Sequence, residues 1–89
     1  MAWTIEFTPE AYKTLLRLGR EEEKRVLAFL RQRISKLEDP RSLGEPLKGS
    51  RFAGLWRYRC GNYRILCEIQ DGKISILVVL VGHRRDVYK

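Results

Sequence analysis

From Leu55 onward the apolar residues fall into a period of two, and that pattern is broken at Gly61-Asn62 and again at Asp71-Gly72. A period of two puts alternate side chains on opposite faces of a strand, and both dipeptides are signals for two-residue hairpin turns. This part of the chain is thereby expected to form three consecutive antiparallel strands with one buried face. The preceding residues follow other periods. Trp3, Ile5 and Phe7 alternate with Thr4 and Glu6, which reads as a short first strand. Thr8-Pro9-Glu10 then opens a helix, with Thr8 as N-cap and Pro9 at the first helical position, where its missing N–H costs nothing. Ala11, Leu15 and Leu18 form its inner stripe, and Gly19 is placed to close it in a left-handed conformation.

A second helix is expected from about Arg20, with Glu21-Glu22-Glu23 at its positive dipole end and Lys36 near its negative end. Val26, Leu27, Leu30, Ile34 and Leu37 make its apolar face, and Asp39-Pro40 ends it. The stretch from Asp39 to Gly54 holds Pro40, Gly44, Pro46, Gly49 and Gly54, so it reads as a long loop, anchored by Leu43 and Leu47 and carrying Lys48 and Arg51. The expected architecture is a single α+β domain spanning residues 1–89: an N-terminal strand, a two-helix hairpin, then an antiparallel three-stranded meander with the helices on one face.

Composition narrows the class further. Hydrophobic residues make up 44% and charged residues 33% of the 89, a globular balance rather than that of a disordered chain. No apolar run approaches the roughly 20 residues of a membrane span, and the start lacks the basic and apolar regions of a secretory leader, so a cytoplasmic protein is expected. Cys60 should pair with Tyr63 across the first hairpin and Cys67 with Trp56. That offset of about 13 Å along the strand exceeds the roughly 7 Å limit for bridged Cα atoms, so both thiols are expected reduced in the core. Two cysteines and His83 at these spacings give no metal site, and no cofactor is implied.

The pleat then sorts side chains into two faces. Trp56, Tyr58, Cys60, Tyr63, Ile65, Cys67 and Ile69 go under the helices, joined from the third strand by Ile74, Ile76, Val78 and Leu80. Arg57, Arg59, Arg64, Leu66 and Glu68 take the other face, with Ser75, Leu77, Val79 and Val81, and Arg59 lies directly across from Arg64. Like charges opposite each other destabilise a sheet by some tenths of a kcal/mol, so stability alone does not select that pair. His83, Arg84, Arg85 and Tyr88 follow the third strand and are expected to fold over the arginine side.

Charge is just as uneven along the chain. Of the 18 Lys/Arg and 11 Asp/Glu, nine and eight fall within residues 1–45, but nine and three within residues 46–89. A cationic cleft of this kind suits a polyanion. Guanidinium groups grip phosphate through paired N–H donors and stay protonated, which makes them good at stabilising transition-state charge and poor at taking protons. The chain shows no Cys-His or Ser-His signature and only His83 titrating near neutrality. On an RNA substrate the 2′-hydroxyl itself supplies the nucleophile, and orientation with charge neutralisation suffices for the protein.

The order of elements, together with Leu47-Lys48-Gly49, Arg57, Asn62-Tyr63-Arg64 and Val81-Gly82-His83-Arg84-Arg85-Asp86-Val87-Tyr88, resembles the RelE toxins of the RelE/ParE superfamily of bacterial type II toxin–antitoxin systems. The resemblance implies a ribosome-dependent mRNA endoribonuclease that cuts in the decoding site by 2′-hydroxyl attack. By the same resemblance Arg57 and Arg64 hold the scissile phosphate, Arg84 assists the leaving 5′-oxygen, and Tyr88 orients the nucleotide or helps move the proton. Lys48, Arg51 and Arg59 contact RNA backbone, and His83 is a further acid/base candidate. An acidic antitoxin, forming a hetero-oligomer with the toxin, and a ribosome with mRNA in its A site are the implied partners. The chain departs from the family's best-known pattern at Leu55, where a second basic residue is usual, and it stops one residue after Tyr88. A ParE-like gyrase inhibitor of the same fold and a noncatalytic nucleic-acid-binding module are the alternatives.

Overall fold

The computed structural model describes residues 2–49 and 51–83. Five strands form one mixed sheet in the order β1-β5-β4-β3-β2: β1 is Thr4–Phe7, β2 Glu45–Pro46, β3 Trp56–Cys60, β4 Tyr63–Gln70 and β5 Ser75–His83. Helices α1 (Pro9–Arg17) and α2 (Arg20–Ala28) cover one face. The expected meander is present as β3-β4-β5, and it is extended at both edges. β1 lies parallel to β5 with Ile5 opposite Ile76, and β2 adds antiparallel to β3 with Glu45 opposite Arg57.

The start of α1 follows its sequence signals, whereas its end and the course of the second helix differ from expectation. Thr8 caps α1, its hydroxyl accepting from the Ala11 N–H at 3.2 Å, and Pro9 starts the helix. Gly19 does not close α1 in the left-handed helical conformation expected of it: Leu18 ends α1, and Gly19, at φ 96° and ψ 157°, turns the chain as N-cap of α2. After Ala28 the helix widens into a π-helical turn, Phe29–Ile34, in which the Ser35 N–H donates five residues back to Leu30. The wider turn delivers Ser35 to the start of β1. The Trp3 N–H donates to the Ser35 carbonyl at 2.7 Å and the Ser35 hydroxyl to the Trp3 carbonyl at 2.5 Å.

Ala11, Leu15, Val26, Leu30 and Ile34 from the helical layer meet Tyr58, Cys60, Ile65, Cys67, Ile76, Val78 and Val81 from the sheet in one core. Fully burying a Leu, Ile or Val side chain contributes roughly 1.5–3 kcal/mol, and the eight of these in the core supply most of what holds a domain this small. Both cysteines are free and buried, as expected, and burial pushes the Cys67 thiol well above its ordinary pKa.

Three local expectations are corrected. The β4–β5 connection is not a two-residue hairpin: Gln70 pairs with Ser75, so Asp71–Lys73 form a 3₁₀ turn and Ile74 sits at φ 50° in the connection rather than in the core strand. A β-bulge then offsets the register. Cys67 pairs with Val78 but Leu66 pairs with Leu80, which leaves Val79 as the extra residue. Leu80 therefore moves to the arginine face and Val81 to the core, the reverse of what strict alternation gives. Finally, Leu43 does not anchor the long loop, being 43% exposed. That loop is held by buried Pro40, whose carbonyl accepts from the Tyr58 hydroxyl at 2.6 Å, and by the Leu47 N–H donating to Leu55.

Removing only that hydroxyl, by Tyr58→Phe, leaves a buried carbonyl without its partner and should cost about 1–2 kcal/mol. Urea denaturation of parent and variant measures the difference; equal midpoints would show that the loop is held by other contacts.

Candidate nucleic-acid interface

The site is a set of cross-strand rows on the sheet face away from the helices. Glu45 on β2, Arg57 on β3, Leu66 on β4 and Leu80 on β5 are successive partners and form one row. Arg59, Arg64 and Gly82 form the next, nearer the Gly61-Asn62 turn. Directly opposed Cβ atoms stand about 5 Å apart and diagonal ones about 7–8 Å. Arg57 and Arg64 are such a diagonal pair, a separation that two guanidinium groups span when they share one phosphate.

The turn makes this arrangement possible. Gly61 takes φ 61° at the first central position while Asn62 keeps negative φ, the sign pattern of a type II′ turn, which suits the twist of a tight hairpin. Cys60 and Tyr63 pair immediately behind it, and this register places Arg59 opposite Arg64 as the alternation predicts. Arg59, Gly61, Asn62, Tyr63 and Arg64 line a cleft of about 230 Å³ at this end of the sheet. Arg64 is half-buried, and its Nη1 has no hydrogen-bond partner among the described residues. A desolvated guanidinium nitrogen without a partner is costly. An anion in the cleft would relieve that cost and the Arg59–Arg64 repulsion together.

Arg57 lies deeper, with a side chain 17% exposed, and donates from Nη2 to Glu45 Oε2. Leu66, across from Arg57 and two residues along from Arg64, is fully buried although it belongs to the outer face. The arginines thus stand beside an apolar floor, which strengthens their interaction with an anion relative to open water.

The remaining expected residues are placed unevenly. Lys48 and Arg51 are exposed on the loop between β2 and β3, and the Arg51 guanidinium lies 5.2 Å from the Phe52 ring. His83 does not join the arginine face: it pairs with Tyr63, which belongs to the opposite side of the pleat, and the two rings meet edge to face at 6.0 Å. Its displacement follows from the bulge at Val79, which shifts every later residue of β5 to the other side. Arg84 and Tyr88 lie outside the described residues.

Glu45 was missed by the sequence reading. Two residues are too few to show a period, and the Gly44-Glu45-Pro46 stretch reads as loop. Its one signal is Pro46, which is tolerated at a sheet edge. Gly44 explains the close approach of this edge: a Cβ there would meet the Tyr58 ring at 3.1 Å and the Trp56 ring at 3.2 Å. Arg41, on the 3₁₀ turn Pro40–Ser42, pins the same loop from the other side. It donates to both Asp71 carboxylate oxygens at 3.1 and 2.6 Å and lies 5.9 Å from the Trp56 ring centroid. Hydrogen bonding to Arg41 holds the Asp71 carboxyl below its ordinary pKa.

If the Arg59–Arg64 pair is kept for an anion at the expense of stability, Arg59→Thr should stabilise the free protein by a few tenths of a kcal/mol. The same variant should weaken binding to a short oligoribonucleotide. Chemical denaturation and fluorescence anisotropy check the two effects, and a variant that loses stability while keeping its affinity would contradict this reading.

Comparison with known proteins gives a consistent relationship. The family profile of the ParE toxin of type II toxin–antitoxin systems matches residues 5–88. Toxin RelG of Mycobacterium tuberculosis is 32% identical over 89 residues, covering 100% of this chain and 99% of that one. The mRNA interferase toxin RelE of Escherichia coli is 30% identical over 87 residues, covering 94% and 85%. The fold superposes on the RelBE2 toxin–antitoxin complex of Mycobacterium tuberculosis with a TM-score of 0.84 at 30% identity, covering 97% of this chain and 95% of that one. The chain belongs to the RelE/ParE superfamily of type II toxin–antitoxin toxins, as a toxin of the RelE type.

Proposed function

We propose that this protein is the toxin of a type II toxin–antitoxin pair and inhibits translation as an endoribonuclease, cutting mRNA in the A site of the ribosome. The observation that carries the reading is the gathering of Arg57, Arg59 and Arg64 on one sheet face, with Arg64 Nη1 lacking a hydrogen-bond partner among the described residues beside a cleft. An mRNA interferase at 30% identity supports the same chemistry. The 2′-hydroxyl attacks its own 3′-phosphate and leaves a 2′,3′-cyclic phosphate, a route that asks no metal of the protein.

In this reaction Arg57 and Arg64 hold the scissile phosphate and stabilise the charge that grows on it. Charge-assisted, preorganised contacts of this kind are commonly the largest part of catalysis. By family resemblance Arg84 neutralises or assists the leaving 5′-oxygen and Tyr88 stacks on the nucleotide. Lys48, Arg51 and Arg59 contact RNA backbone. His83, on the other side of the pleat in β5, is placed to take part only from the end of the strand. Activity depends on the ribosome because the arginines are poor proton acceptors and the substrate must be oriented for them.

The site acts in the cytoplasm, where its substrate is. No helix among the described residues is long and apolar enough to cross a membrane. An acidic antitoxin completes the system as a hetero-oligomer, by analogy with the RelBE2 complex that this fold matches. It folds on binding and neutralises a chain of net charge +7.

Purified protein added to ribosomes stalled on a defined mRNA, with RNA ends mapped by primer extension, tests the reading. Cuts confined to the A site are expected, with Arg64→Ala slower by about 10²-fold or more. Intact mRNA together with inhibited DNA gyrase would transfer the protein to the ParE-like activity, and binding without any cleavage would leave a nucleic-acid-binding module.

A further inference from the structure

We propose that the ion pair of Arg41 with Asp71 is a remote clamp that sets the Arg57 guanidinium for the scissile phosphate. Arg41 and Asp71 are then positioning residues, and this role in the reaction rests on the endoribonuclease reading above. Neither residue belongs to the arginine face. Asp71 stands five residues beyond Leu66, the partner of Arg57, which is roughly 16 Å along the sheet.

The geometry of the pair favours position over stability. Arg41 donates through Nη1 and Nη2 to the two Asp71 carboxylate oxygens, at 3.1 and 2.6 Å, and Nη1 also reaches Asp39 Oδ1 at 3.3 Å. Two parallel bonds fix the plane of the guanidinium as well as its distance. The side chains are 34% and 64% exposed, so the attraction is screened by water and adds little to the folding free energy. The same guanidinium lies 5.9 Å from the centroid of the Trp56 ring, and Trp56 immediately precedes Arg57 on β3. Arg41 therefore joins three segments: its own loop, the β4–β5 connection and the start of β3.

The β4–β5 connection is shaped at a cost. Asp71-Gly72 is a sequence suited to a relaxed two-residue hairpin, yet Asp71–Lys73 form a 3₁₀ turn that ends with Ile74 at φ 50° and ψ 52°. Ile74 is the one non-glycine residue with positive φ among the described residues, and a β-branched side chain is disfavoured there. Strained backbone of this kind persists where the surrounding structure fixes it. Here it accompanies the presentation of Asp71 to Arg41.

The route from the clamp to the site is short. Arg41 lies on the 3₁₀ turn Pro40–Ser42, and β2 follows at Glu45–Pro46. A two-residue strand takes its place from what holds the chain on either side of it. β2 pairs with Trp56 and Arg57, and Glu45 Oε2 accepts from Arg57 Nη2, so the position of β2 sets the direction of that guanidinium. Releasing Arg41 loosens the approach to β2 and lets Arg57 reorient, although no group at the site has been removed.

Asp71→Asn keeps the shape and removes the charge. Under single-turnover conditions with saturating ribosomes stalled on mRNA, cleavage should slow about tenfold, since small misplacements of a catalytic group are costly. The ribosome concentration at half-saturation and the thermal midpoint should stay near those of the parent. Asp71→Glu should recover most of the rate, and the double variant Arg41→Gln with Asp71→Asn should be no slower than Arg41→Gln alone. Without any RNA, the Nε–Hε signal of Arg57 should move in Asp71→Asn while those of Arg17 and Arg20 stay in place. Parent-like cleavage with an unmoved Arg57 signal would overturn the clamp and leave the endoribonuclease reading intact. Cleavage lost only in proportion to thermal stability, with no recovery in Asp71→Glu, would overturn it in favour of a purely structural pair. A parent protein that cuts no mRNA would remove the endoribonuclease reading and the catalytic role of the clamp with it, whatever the Arg57 signal does.

Discussion

Pairing of Cys60 with Tyr63 across a two-residue turn is the constraint on which the outer face depends. Because side chains alternate strictly, that single register fixes Arg59 opposite Arg64, Arg57 opposite Leu66 and Tyr58 opposite Ile65. A slip of one residue on one strand would send its arginines under the helices and its core residues into water. The core therefore enforces the cationic face. Burial of Tyr58, Ile65 and Cys67 beneath the helices stabilises the register strongly enough to hold two like charges against each other. Repulsion worth some tenths of a kcal/mol is small beside several buried side chains at roughly 1.5–3 kcal/mol each.

A second layer of organisation acts through the loop that precedes β3. Sixteen residues without a core of their own would ordinarily wander, but this segment is tied at Pro40 and Gly44 to β3, at Leu47 to Leu55 just before β3, and at Arg41 to the Asp71–Lys73 turn. The consequence is a short edge strand that sets a carboxylate against Arg57. Contacts made away from the cationic cleft thus fix an acidic group beside Arg57. The Arg41–Asp71 pair is largely exposed, so its own contribution to stability is small; its effect is on position.

The parts of this fold legible in the sequence are those governed by short periods and by residues with strong local preferences. Thr8-Pro9 marked the start of α1, the acidic run marked the start of α2, and the alternation from Trp56 to Ile69 gave the faces of β3 and β4 correctly. What escaped depends on partners distant in sequence. Parallel pairing of β1 with β5 leaves no local trace, and neither does a π-helical turn whose purpose is to bring Ser35 to Trp3. The bulge at Val79 was invisible because Leu77, Val78, Val79, Leu80 and Val81 are all apolar, so no alternation was present to break. That same run misled the placement of Leu80, Val81 and His83. Glu45 was hidden for a different reason: a two-residue strand owes its existence to the edge it joins.

On the proposed function, the sheet face bearing Arg57, Arg59 and Arg64 receives RNA phosphate. The most direct test is an NMR titration of the protein, labelled at arginine side chains, with a short RNA blocked by a 2′-deoxy nucleotide. The Nε–Hε signals of Arg57, Arg59 and Arg64 should move together and saturably, while those of Arg17, Arg20 and Arg31 on the helices stay in place. Shifts confined to the helical arginines, with the three sheet arginines unchanged, would contradict it.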